Sequence, residues 1–498
     1  MESWLAMNQS YQRPRKVLFC CHGGPAYGLG HVMRCLALSQ AATAQGWQTR
    51  FAGDIDPAWA GSHLEPGQVV AMTPAAQASQ LAEIVDGWRP DVCHIDSYLP
   101  LPELGGKTLI SNTRDGPFGR RPANLTIDPT LGAEMRQDWN DVDTTLLGRW
   151  YAPLRAQVLR QAQPAAPIGP DDAGGPWKIL VVSGGTCPPA LIAQVLDGLA
   201  AAARPTQATV VTATPAPSRS RGRSRIELVG LIDDLPAVAR RHHVVISAAG
   251  TSVMDFAYLG VPMALVHAVD NQRAGYDAAV AAGLAIGLGS IAGLDARVTA
   301  LVDDLNPATL AELAQTGRHL VDGRGAWRVV ATWSQLLERQ PTVRPPDVAI
   351  RPATLADAAR LLAWRNDPVA REQSRQHRPI AWEDHLAWLT ASLDRADRRV
   401  LVAEADGQPV GVVRWDAGDD GAWEASVTID PARRGHRLGL AALAAAERAL
   451  PSSRPLALEA TIHRDNAASL AVFAQLGYLP FQPPDASGFA RYRAWRQR

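Results

Sequence analysis

The chain has 498 residues, with 49 basic and 49 acidic side chains and therefore a formal net charge of zero. At roughly 150 residues per domain, this length predicts about three domains. The absence of excess charge excludes a long-range basic field that would attract nucleic acid or an anionic membrane. Hydrophobic residues make up 47% of the chain and charged residues 20%, which is typical of a globular protein.

The cysteines and the N-terminal segment indicate a cytoplasmic location. The five cysteines are an odd number and form no CxxC pair, which indicates free thiols in a reducing compartment. The N-terminal segment lacks the apolar core of a signal peptide, and no stretch approaches the ~18 apolar residues of a membrane-spanning helix. We therefore expect no membrane partner. We also expect no metal, because no His, Cys and Asp cluster has the spacing of metal ligands.

Alternating strands and helices predict a first Rossmann-like domain over residues 15–160. Val17–Cys21 is a short apolar run typical of a buried parallel strand. A glycine-rich loop and a helix over Val32–Gln45 follow it, and Gln48–Ala52 predicts the next strand, which completes a βαβ unit. Further strands are predicted at Asp91–Ile95 and Lys107–Ser111.

A second βαβ series predicts another Rossmann-like domain over residues 176–338, after a linker rich in Pro, Gly and Ala. Ligands of such sheets bind beyond the carboxyl ends of the strands, so two adjacent domains predict a cleft between them. The predicted strands are Lys178–Ser183, Ala208–Thr212, Ile226–Val229, Val244–Ser247 and Pro262–Val266.

A Pro-rich stretch near residues 338–347 separates a third domain over residues 348–498. Its pattern is a short strand, helices rich in Trp and Arg, three strands, an Ala-rich helix, a strand and a final helix. Its later predicted elements are the strands Val400–Glu404, Pro409–Trp415, Ala422–Ile429 and Leu456–Ala460, and the helix Ala467–Leu476.

A glycine-rich turn joins the first strand to its helix at Gly28-Leu29-Gly30-His31. The glycines allow close backbone approach to a ligand, and the helix N-terminus favours an anion. On spacing alone, a tight turn with a capping histidine is an equally good interpretation. The order of the later motifs favours a ligand site. These motifs are Asp96-Ser97-Tyr98, Ser183-Gly184-Gly185-Thr186, Gly250-Thr251-Ser252 and Asn271-Gln272.

Together these motifs resemble the PseG family of UDP-sugar hydrolases over about residues 15–335. The resemblance implies two Rossmann-like domains of the glycosyltransferase-B type, with MurG as a relative. It also implies release of UDP from UDP-2,4-diacetamido-2,4,6-trideoxy-β-L-altropyranose. His31 stands at the position of the family's catalytic histidine, and an imidazole can take a proton from water at neutral pH.

The same resemblance implies the substrate-binding residues. Asp255 stands where relatives commonly carry a ribose-binding Glu, and the segment NTRDG (112–116) departs from the family's two consecutive Asp. Backbone donors at the glycine turns would stabilise the leaving diphosphate. The predicted substrate-binding residues are Gly28, Gly30, Arg34, Asp96, Tyr98, Gly184, Gly185, Thr186, Gly250, Thr251, Ser252, Asp255, Asn271 and Gln272.

The C-terminal domain carries the motifs RGHRLG (434–439), NAASLAVF (466–473), WRN (364–366) and a His385/Trp388 pair. They resemble the GCN5-related N-acetyltransferases over about residues 348–482, and in particular the branch that contains PseH. The resemblance implies acetyl-CoA as co-substrate, with its pyrophosphate held by the glycine turn. The predicted residues for this co-substrate are Ile429, Arg434, Gly435, His436, Arg437, Leu438, Gly439, Asn466 and Ser469.

Three positions in this domain have alternative interpretations. Glu424, on the strand before the glycine turn, is the candidate base, but a solvent-facing strand residue explains it equally well. Asn466 is a candidate ligand of the CoA arm or a helix N-cap. Arg437 replaces the middle glycine of the family turn, which a backbone contact tolerates if φ is negative. Phe473 stands at the usual position of a proton-donating Tyr and cannot donate.

The sequence therefore predicts a bifunctional enzyme of pseudaminic or related nonulosonic acid biosynthesis. The C-terminal domain would acetylate a UDP-4-amino-4,6-dideoxy sugar, and the N-terminal domains would hydrolyse UDP from the product. One alternative is a glycosyltransferase joined to an acetyltransferase in glycan or antibiotic tailoring. Another is a hydrolase with a non-catalytic acetyl-CoA-binding domain. The sequence makes no prediction of the oligomeric state.

Overall fold

The computed structural model describes three sheets that follow one another along the chain. The described residues are 13–24, 26–73, 76–99, 104, 107–136, 144–161, 175–184, 188–212, 215–339, 345–450 and 456–496. The chain divides into two compact units, one that ends at Val330 and one that begins at Ala331. The first two sheets belong to the first unit and the third sheet to the second.

The first sheet is parallel, and its described strands lie in the order β3-β2-β1-β4-β5-β6-β7. Its strands are β1 (Lys16–Cys21), β2 (Gln48–Gly53), β3 (Val69–Ala71), β4 (Val92–Asp96), β5 (Leu109–Thr113), β6 (Leu125–Asp128) and β7 (Thr145–Leu147). The helices are α1 (Gly30–Thr43), α2 (Pro57–His63), α3 (Gln77–Trp88) and α4 (Ala156–Arg160). From β1 the chain continues through β2 and β3 on one side and then crosses to β4 on the other side of β1, so the binding edge lies at the carboxyl ends of β1 and β4.

The second sheet repeats this arrangement, in the order β10-β11-β9-β8-β12-β13-β14, with an antiparallel hairpin at one edge. Its strands are β8 (Trp177–Val182), β9 (Thr206–Val211), β10 (Ala216–Arg221), β11 (Ser224–Val229), β12 (Val244–Ala248), β13 (Met263–Val266) and β14 (Ile286–Gly287). The helices are α5 (Pro189–Ala201), α6 (Leu235–Ala239), α7 (Ser252–Leu259), α8 (Arg273–Ala281), α9 (Leu294–Asp304), α10 (Pro307–Leu320) and α11 (Gly325–Leu337).

The third sheet is mostly antiparallel, in the order β15-β16-β17-β18-β19-β21-β20, and β18 and β19 form its parallel pair. Its strands are β15 (Ala349–Pro352), β16 (Arg398–Ala405), β17 (Gln408–Ala417), β18 (Trp423–Ile429), β19 (Leu456–His463), β20 (Leu479–Gln482) and β21 (Phe489–Arg496). The helices are α12 (Ala358–Asn366), α13 (Pro368–Glu372), α14 (Trp382–Leu393), α15 (Leu438–Arg448) and α16 (Ala467–Gln475).

Apolar residues on the strands form the cores. The central strand β1 is buried from Val17 to Cys21, and the faces of the second sheet carry two separate apolar clusters, one around Trp177 and one around Phe256. This two-sided burial explains why the parallel strands are continuous apolar runs. None of the described helices combines the length and hydrophobicity that a membrane crossing requires.

The predicted fold class is confirmed: two doubly wound α/β domains precede a smaller α/β domain with a mixed sheet. The predicted strands correspond to observed ones within a few residues. Short or exposed strands without a clear apolar pattern were missed, among them β7 and the edge strand β10, whereas β11 corresponds to the predicted strand Ile226–Val229.

Candidate functional site

The carboxyl edge of the first sheet brings three sequence segments together. In the register of β1 and β4, Cys21 pairs with Asp96, so the loop that follows β1 starts beside Asp96. The loop 22–29 leads into α1, whose first turn contains His31. Because β5 lies next to β4, the turn that follows β5 brings Asp115 to the same edge.

A buried guanidinium joins these segments. Arg34, one turn after His31 on α1, donates to both carboxylate oxygens of Asp96, at 2.8 Å from Nε and 2.7 Å from Nη2. Its other edge donates to Asp115, at 2.7 Å from Nη1 and 3.1 Å from Nη2. Two carboxylates thus surround one buried cation, and each pair is bidentate, the geometry that arginine favours with carboxylates.

His31 lies against the same carboxylate. Its Nδ1 lies 2.6 Å from Oδ1 of Asp96 and 3.1 Å from Nη2 of Arg34. We assign the proton to Nδ1, because the shorter contact is to a carboxylate, which can only accept. The lone pair is then on Nε2, which is the arrangement of a general base oriented by an acid.

Electrostatics keep Asp96 ionised. Burial acts to raise the pKa of Asp96, but the charges and hydrogen bonds of Arg34 and His31 outweigh it and hold the pKa well below its usual range.

Among the described residues, the ligand atoms of Cys35, His94 and Asp96 lie within 4.8 Å of one another, close enough to hold a metal ion. Both oxygens of Asp96 already accept from Arg34, whose charge would repel a metal ion there.

Tyr98 links this site to the second Rossmann-like domain. Its ring lies edge-on to His31, with 4.7 Å between the ring centroids, and its hydroxyl donates to Asp115. The hydroxyl oxygen accepts from Nδ2 of Asn271 at 3.0 Å. Burial and the nearby charge of Asp115 raise the pKa of Tyr98 well above its usual range, so the phenol stays protonated.

The glycine turn of β12 faces the glycine turn of β1. A Cβ atom at Gly30 would lie 3.4 Å from the methyl group of Thr251, which precedes Ser252 at the start of α7. Gly184 and Gly250 have open space where a side chain would begin, as a ligand-binding turn requires. Gly28 adopts a positive φ of 72° at the turn before α1.

Other predicted substrate residues have protein partners. Oδ2 of Asp255 accepts from Nη2 of Arg155 at 3.2 Å, and burial outweighs this pair and raises the pKa of Asp255. Oε1 of Gln272 accepts from the backbone N–H of Ala268 at 2.9 Å. Gly185 and Thr186 lie outside the described residues.

In the third domain, β18 and β19 pair at only two positions of their described residues, Trp423 with Leu458 and Glu424 with Glu459. Beyond Glu424 the two strands no longer pair with each other, although each pairs with its other neighbour. Glu424 is exposed at this point of separation. The parted strands leave backbone groups available for a ligand, beside the predicted base.

The loop 430–437 leads from β18 into α15. Gly435 has a φ of 83° with open space around its Cβ position, and the Cβ position of Gly439 meets Val472 and Ile429 at ordinary contact distances of 3.5 and 3.6 Å. Leu438 is the first residue of α15, whose free N–H groups favour an anion. Nδ1 of His436 lies 3.0 Å from the carbonyl oxygen of Arg434.

The condition under which a backbone contact tolerates Arg437, a negative φ, is not met. Arg437 has a φ of 59° and is the left-handed residue before α15. The turn requires this conformation, which costs an L-residue about 1–2 kcal/mol relative to glycine. Arg434 has a different partner: its Nη2 donates to Asp367, the N-cap of α13, at 2.6 Å.

Asn466 and Phe473 have structural contacts on α16. Oδ1 of Asn466 accepts from the N–H of Ser469 at 3.0 Å, so Asn466 is the N-cap of this helix. Phe473 is buried and packs edge-on against Tyr478, whose hydroxyl donates to Glu447 at 3.0 Å. Burial, followed by the charge of Glu447, raises the pKa of Tyr478 well above its usual range.

Three arginines converge beside β17 and α12. Nη1 of Arg365 is buried without a hydrogen-bond partner in the described residues. Burial, followed by the charges of Arg414 and Arg371, lowers the pKa of Arg365. Arg371 donates to backbone carbonyls, and Arg414 has an ion pair with Asp416 at 2.7 Å. Arg365 is half-buried and its Nη2 donates to the carbonyl oxygen of Gln376 at 3.3 Å, so Nη1 is the donor left for an anion among these like charges.

The C-terminal domain matches a known protein family. Residues 347–479 match the acetyltransferase (GNAT) domain family. The C-terminal domain is a GNAT acetyltransferase domain. It is similar to the structure of a ribosomal-protein-alanine N-acetyltransferase from Brucella melitensis, with 28% identity and a TM-score of 0.26, over 29% of this chain and 98% of that one.

The N-terminal part has more distant relatives. It is similar to the structure of MurG from Acinetobacter baumannii, with 15% identity and a TM-score of 0.43, over 64% of this chain and 98% of that one. The chain is also 21% identical to the uncharacterized protein MJ1062 of Methanocaldococcus jannaschii over 315 residues, 60% of this chain. It thus spans 61% of the length of that relative.

The structure brings together His31, Arg34, Asp96, Tyr98 and Asn271, which the sequence predicted separately. Sequence reasoning missed Asp115 and Arg155. Asp115 lies in NTRDG, directly after a strand of the binding edge, and this position was the available signal. No sequence signal connects Arg155 to Asp255, which lies 100 residues later.

Proposed function

We propose that the chain is a bifunctional nucleotide-sugar enzyme. Its GNAT domain transfers an acetyl group from acetyl-CoA to the amino group of a UDP-4-amino-4,6-dideoxy sugar. Its two Rossmann-like domains then hydrolyse UDP from the resulting UDP-2,4-diacetamido-2,4,6-trideoxy sugar. These are consecutive steps toward pseudaminic or a related nonulosonic acid.

The oriented histidine is the observation that carries the hydrolase proposal. His31 holds its Nδ1 proton on an ionised, buried Asp96, and so offers Nε2 as a base. In the proposed reaction, Nε2 takes a proton from water as the water oxygen bonds to the anomeric carbon. The bond from that carbon to the diphosphate oxygen breaks, and the electron pair leaves with UDP. Removal of an acid–base group of this kind typically costs about 10²–10⁴-fold in rate.

The second domain supports the leaving group. Apart from the chain neighbours, no described residue lies within 4 Å of a Cβ position at Gly184 or at Gly250, and the N-terminus of α7 offers backbone donors to a diphosphate. Thr251 approaches Gly30, the residue before His31, so we propose that a sugar diphosphate bound at the N-terminus of α7 has its anomeric carbon close to His31.

The GNAT domain supports the acetylation step. The loop 434–439 and the first turn of α15 are proposed to hold the acetyl-CoA pyrophosphate, next to the point where β18 and β19 separate. Glu424, exposed at this point, is the proposed base. Nη1 of Arg365, which has no hydrogen-bond partner among the described residues, is the proposed contact for an anionic group of the acceptor, such as the UDP diphosphate.

One experiment tests both steps. The full chain is incubated with a UDP-4-amino-4,6-dideoxy sugar and acetyl-CoA, and the products are measured by mass spectrometry. We expect free CoA, UDP and the diacetamido sugar. A second arm contains the UDP-diacetamido sugar alone: release of UDP and free sugar supports a hydrolase, whereas release of UDP only after addition of an acceptor, with the sugar bonded to that acceptor, supports a glycosyltransferase. CoA binding without acetyl transfer in the first arm would contradict the acetyltransferase proposal and support a regulatory domain.

A further inference from the structure

Asp115 is a largely buried carboxylate in the turn that follows β5. Its side chain is 17% exposed. The carboxylate accepts hydrogen bonds from the guanidinium of Arg34 and from the hydroxyl of Tyr98. The turn itself is fixed, because the backbone of Asp115 and that of Phe118 exchange two hydrogen bonds of 3.1 Å. Such a complete set of contacts holds the carboxylate in one orientation.

We propose that Asp115 is a positioning residue for UDP release, which acts through Arg34 and Tyr98 rather than on the substrate. The inference rests on the proposed hydrolase function. Asp115 occupies the edge of the Arg34 guanidinium that Asp96 leaves free, so the two carboxylates together fix its plane. Nη2 of that guanidinium lies 3.1 Å from Nδ1 of His31, so its position affects the base.

The charges indicate what Asp115 contributes to the reaction. Arg34 carries one positive charge, and Asp96 and Asp115 carry two negative charges, so the group is negative while His31 is neutral. Uptake of a proton from water by His31 brings the sum to zero. The groups that face His31 are Asp96, Arg34, the Tyr98 ring and His22, and burial lowers the pKa of His22, which keeps it uncharged near neutral pH.

Asp115 also sets the direction of the hydrogen bonds toward the second domain. A carboxylate can only accept, so the Tyr98 hydroxyl must donate to it, and the hydroxyl oxygen is left to accept from Asn271. An amide at position 115 would lose this control, because its NH₂ group would face either Arg34 or Tyr98. The chain of contacts from His31 to Asn271 therefore depends on a carboxylate at this position.

The test uses Asp115→Asn in the full chain. We expect kcat for UDP release to fall by about 10–100-fold, within or below the range for loss of an acid–base group. The low-pH limb of the rate profile should move to lower pH, because loss of the negative charge disfavours the protonated histidine. Affinity for UDP, measured by calorimetry, should stay within about threefold of wild type. A merely structural role would lower the rate without moving the profile.

Two controls make the result decisive. Asp91→Asn breaks the ion pair with Arg13, 2.8 Å long, at the opposite end of β4 and should leave the rate unchanged. Asp115→Glu keeps the charge but displaces the guanidinium by one methylene, so kcat should fall while the pH profile stays as in wild type. Wild-type kcat in folded Asp115→Glu, or an unmoved profile in Asp115→Asn, would overturn the proposal.

A readout without substrate separates this inference from the proposed function. NMR of the His31 ring in the free protein should show its protonation change at lower pH in Asp115→Asn than in wild type. If wild type releases no UDP, the hydrolase function fails, and this titration still decides whether Asp115 acts on His31. An identical titration in both proteins would contradict the inference.

Discussion

At the scale of single residues, the hydrolase candidate site depends on one buried cation between two carboxylates. Ion pairs of this kind gain little stability over apolar packing, but removal of one partner leaves an uncompensated buried charge, at a cost of about 3–5 kcal/mol. Arg34 is therefore poorly suited to a functional test, because its loss would destabilise Asp96 and Asp115 together. His31, which is partly exposed, can be removed with less structural damage.

His31→Ala should lower the rate of UDP release by at least about 10²-fold, because the general base is lost. The Arg34 contacts to Asp96 should keep the fold intact, and a circular-dichroism melt would check this. Acetylation by the same variant serves as an internal control and should be unchanged. Hydrolysis near the wild-type rate would exclude His31 as the base.

Arg365→Ala should raise KM for the UDP-amino sugar by roughly 10–100-fold, since a hydrogen bond to a charged group contributes about 1.5–3 kcal/mol. KM for acetyl-CoA should not change. Arg360→Ala is the matched control: it removes an exposed arginine from the same helix, α12. Equal effects of the two variants would show that Arg365 has no specific anion to bind.

At the scale of elements, sequence pattern predicted the buried parallel strands and failed where pattern is weak. The strands β1, β8 and β12 are continuous apolar runs that are each followed by a glycine turn, so their positions and the binding edge could be predicted. The hairpin of β10 and β11 reads PSRSRGRSR over 217–225 and has no apolar alternation on its edge strand. Asp115 was missed because its meeting with Arg34 depends on which strands are neighbours, which a single sequence does not specify.

The first turn of α15 provides a test of the co-substrate site. Gly439→Asp should abolish acetylation or sharply raise KM for acetyl-CoA, because a carboxylate there would repel and obstruct the pyrophosphate. The protein should still fold, since a Cβ atom fits at this position and an acid is favourable near a helix N-terminus. Gly439→Asn has the same shape without charge, so a milder effect would identify repulsion as the cause. Unchanged acetyl-CoA affinity by calorimetry would contradict the assignment of this loop.

The left-handed residue before α15 predicts a change in stability. Arg437→Gly should raise the free energy of unfolding slightly, by under about 1 kcal/mol, because relief of left-handed strain exceeds the added entropy of the unfolded chain. Arg433 lies in the same loop but has no positive φ, so Arg433→Gly should instead lower the free energy of unfolding by a few tenths of a kcal/mol. Denaturant unfolding of both variants measures the difference. A loss of stability in Arg437→Gly would mean that its side chain makes a stabilising contact.

At the scale of the whole molecule, the sequence separates two kinds of chemistry into different parts of one chain. The His31 group lies in the unit that ends at Val330, and the GNAT match at 347–479 lies in the unit that begins at Ala331. The contacts described for each proposed site join residues of one unit only. The two proposed activities should therefore be separable by substitutions.

A mixture of His31→Ala and Gly439→Asp proteins should complete both steps on the UDP-amino sugar with acetyl-CoA. One variant supplies acetylation and the other hydrolysis, and the acetylated intermediate diffuses between them, whereas the double variant should give no free sugar. At low enzyme concentration the mixture should lag behind wild type if the intermediate passes between sites on one chain, because joining the sites raises its effective concentration. The time course of free diacetamido sugar, measured by mass spectrometry, tests both expectations. Failure of complementation with two folded variants, each active in its own remaining step, would show that hydrolysis requires an intermediate made on the same chain.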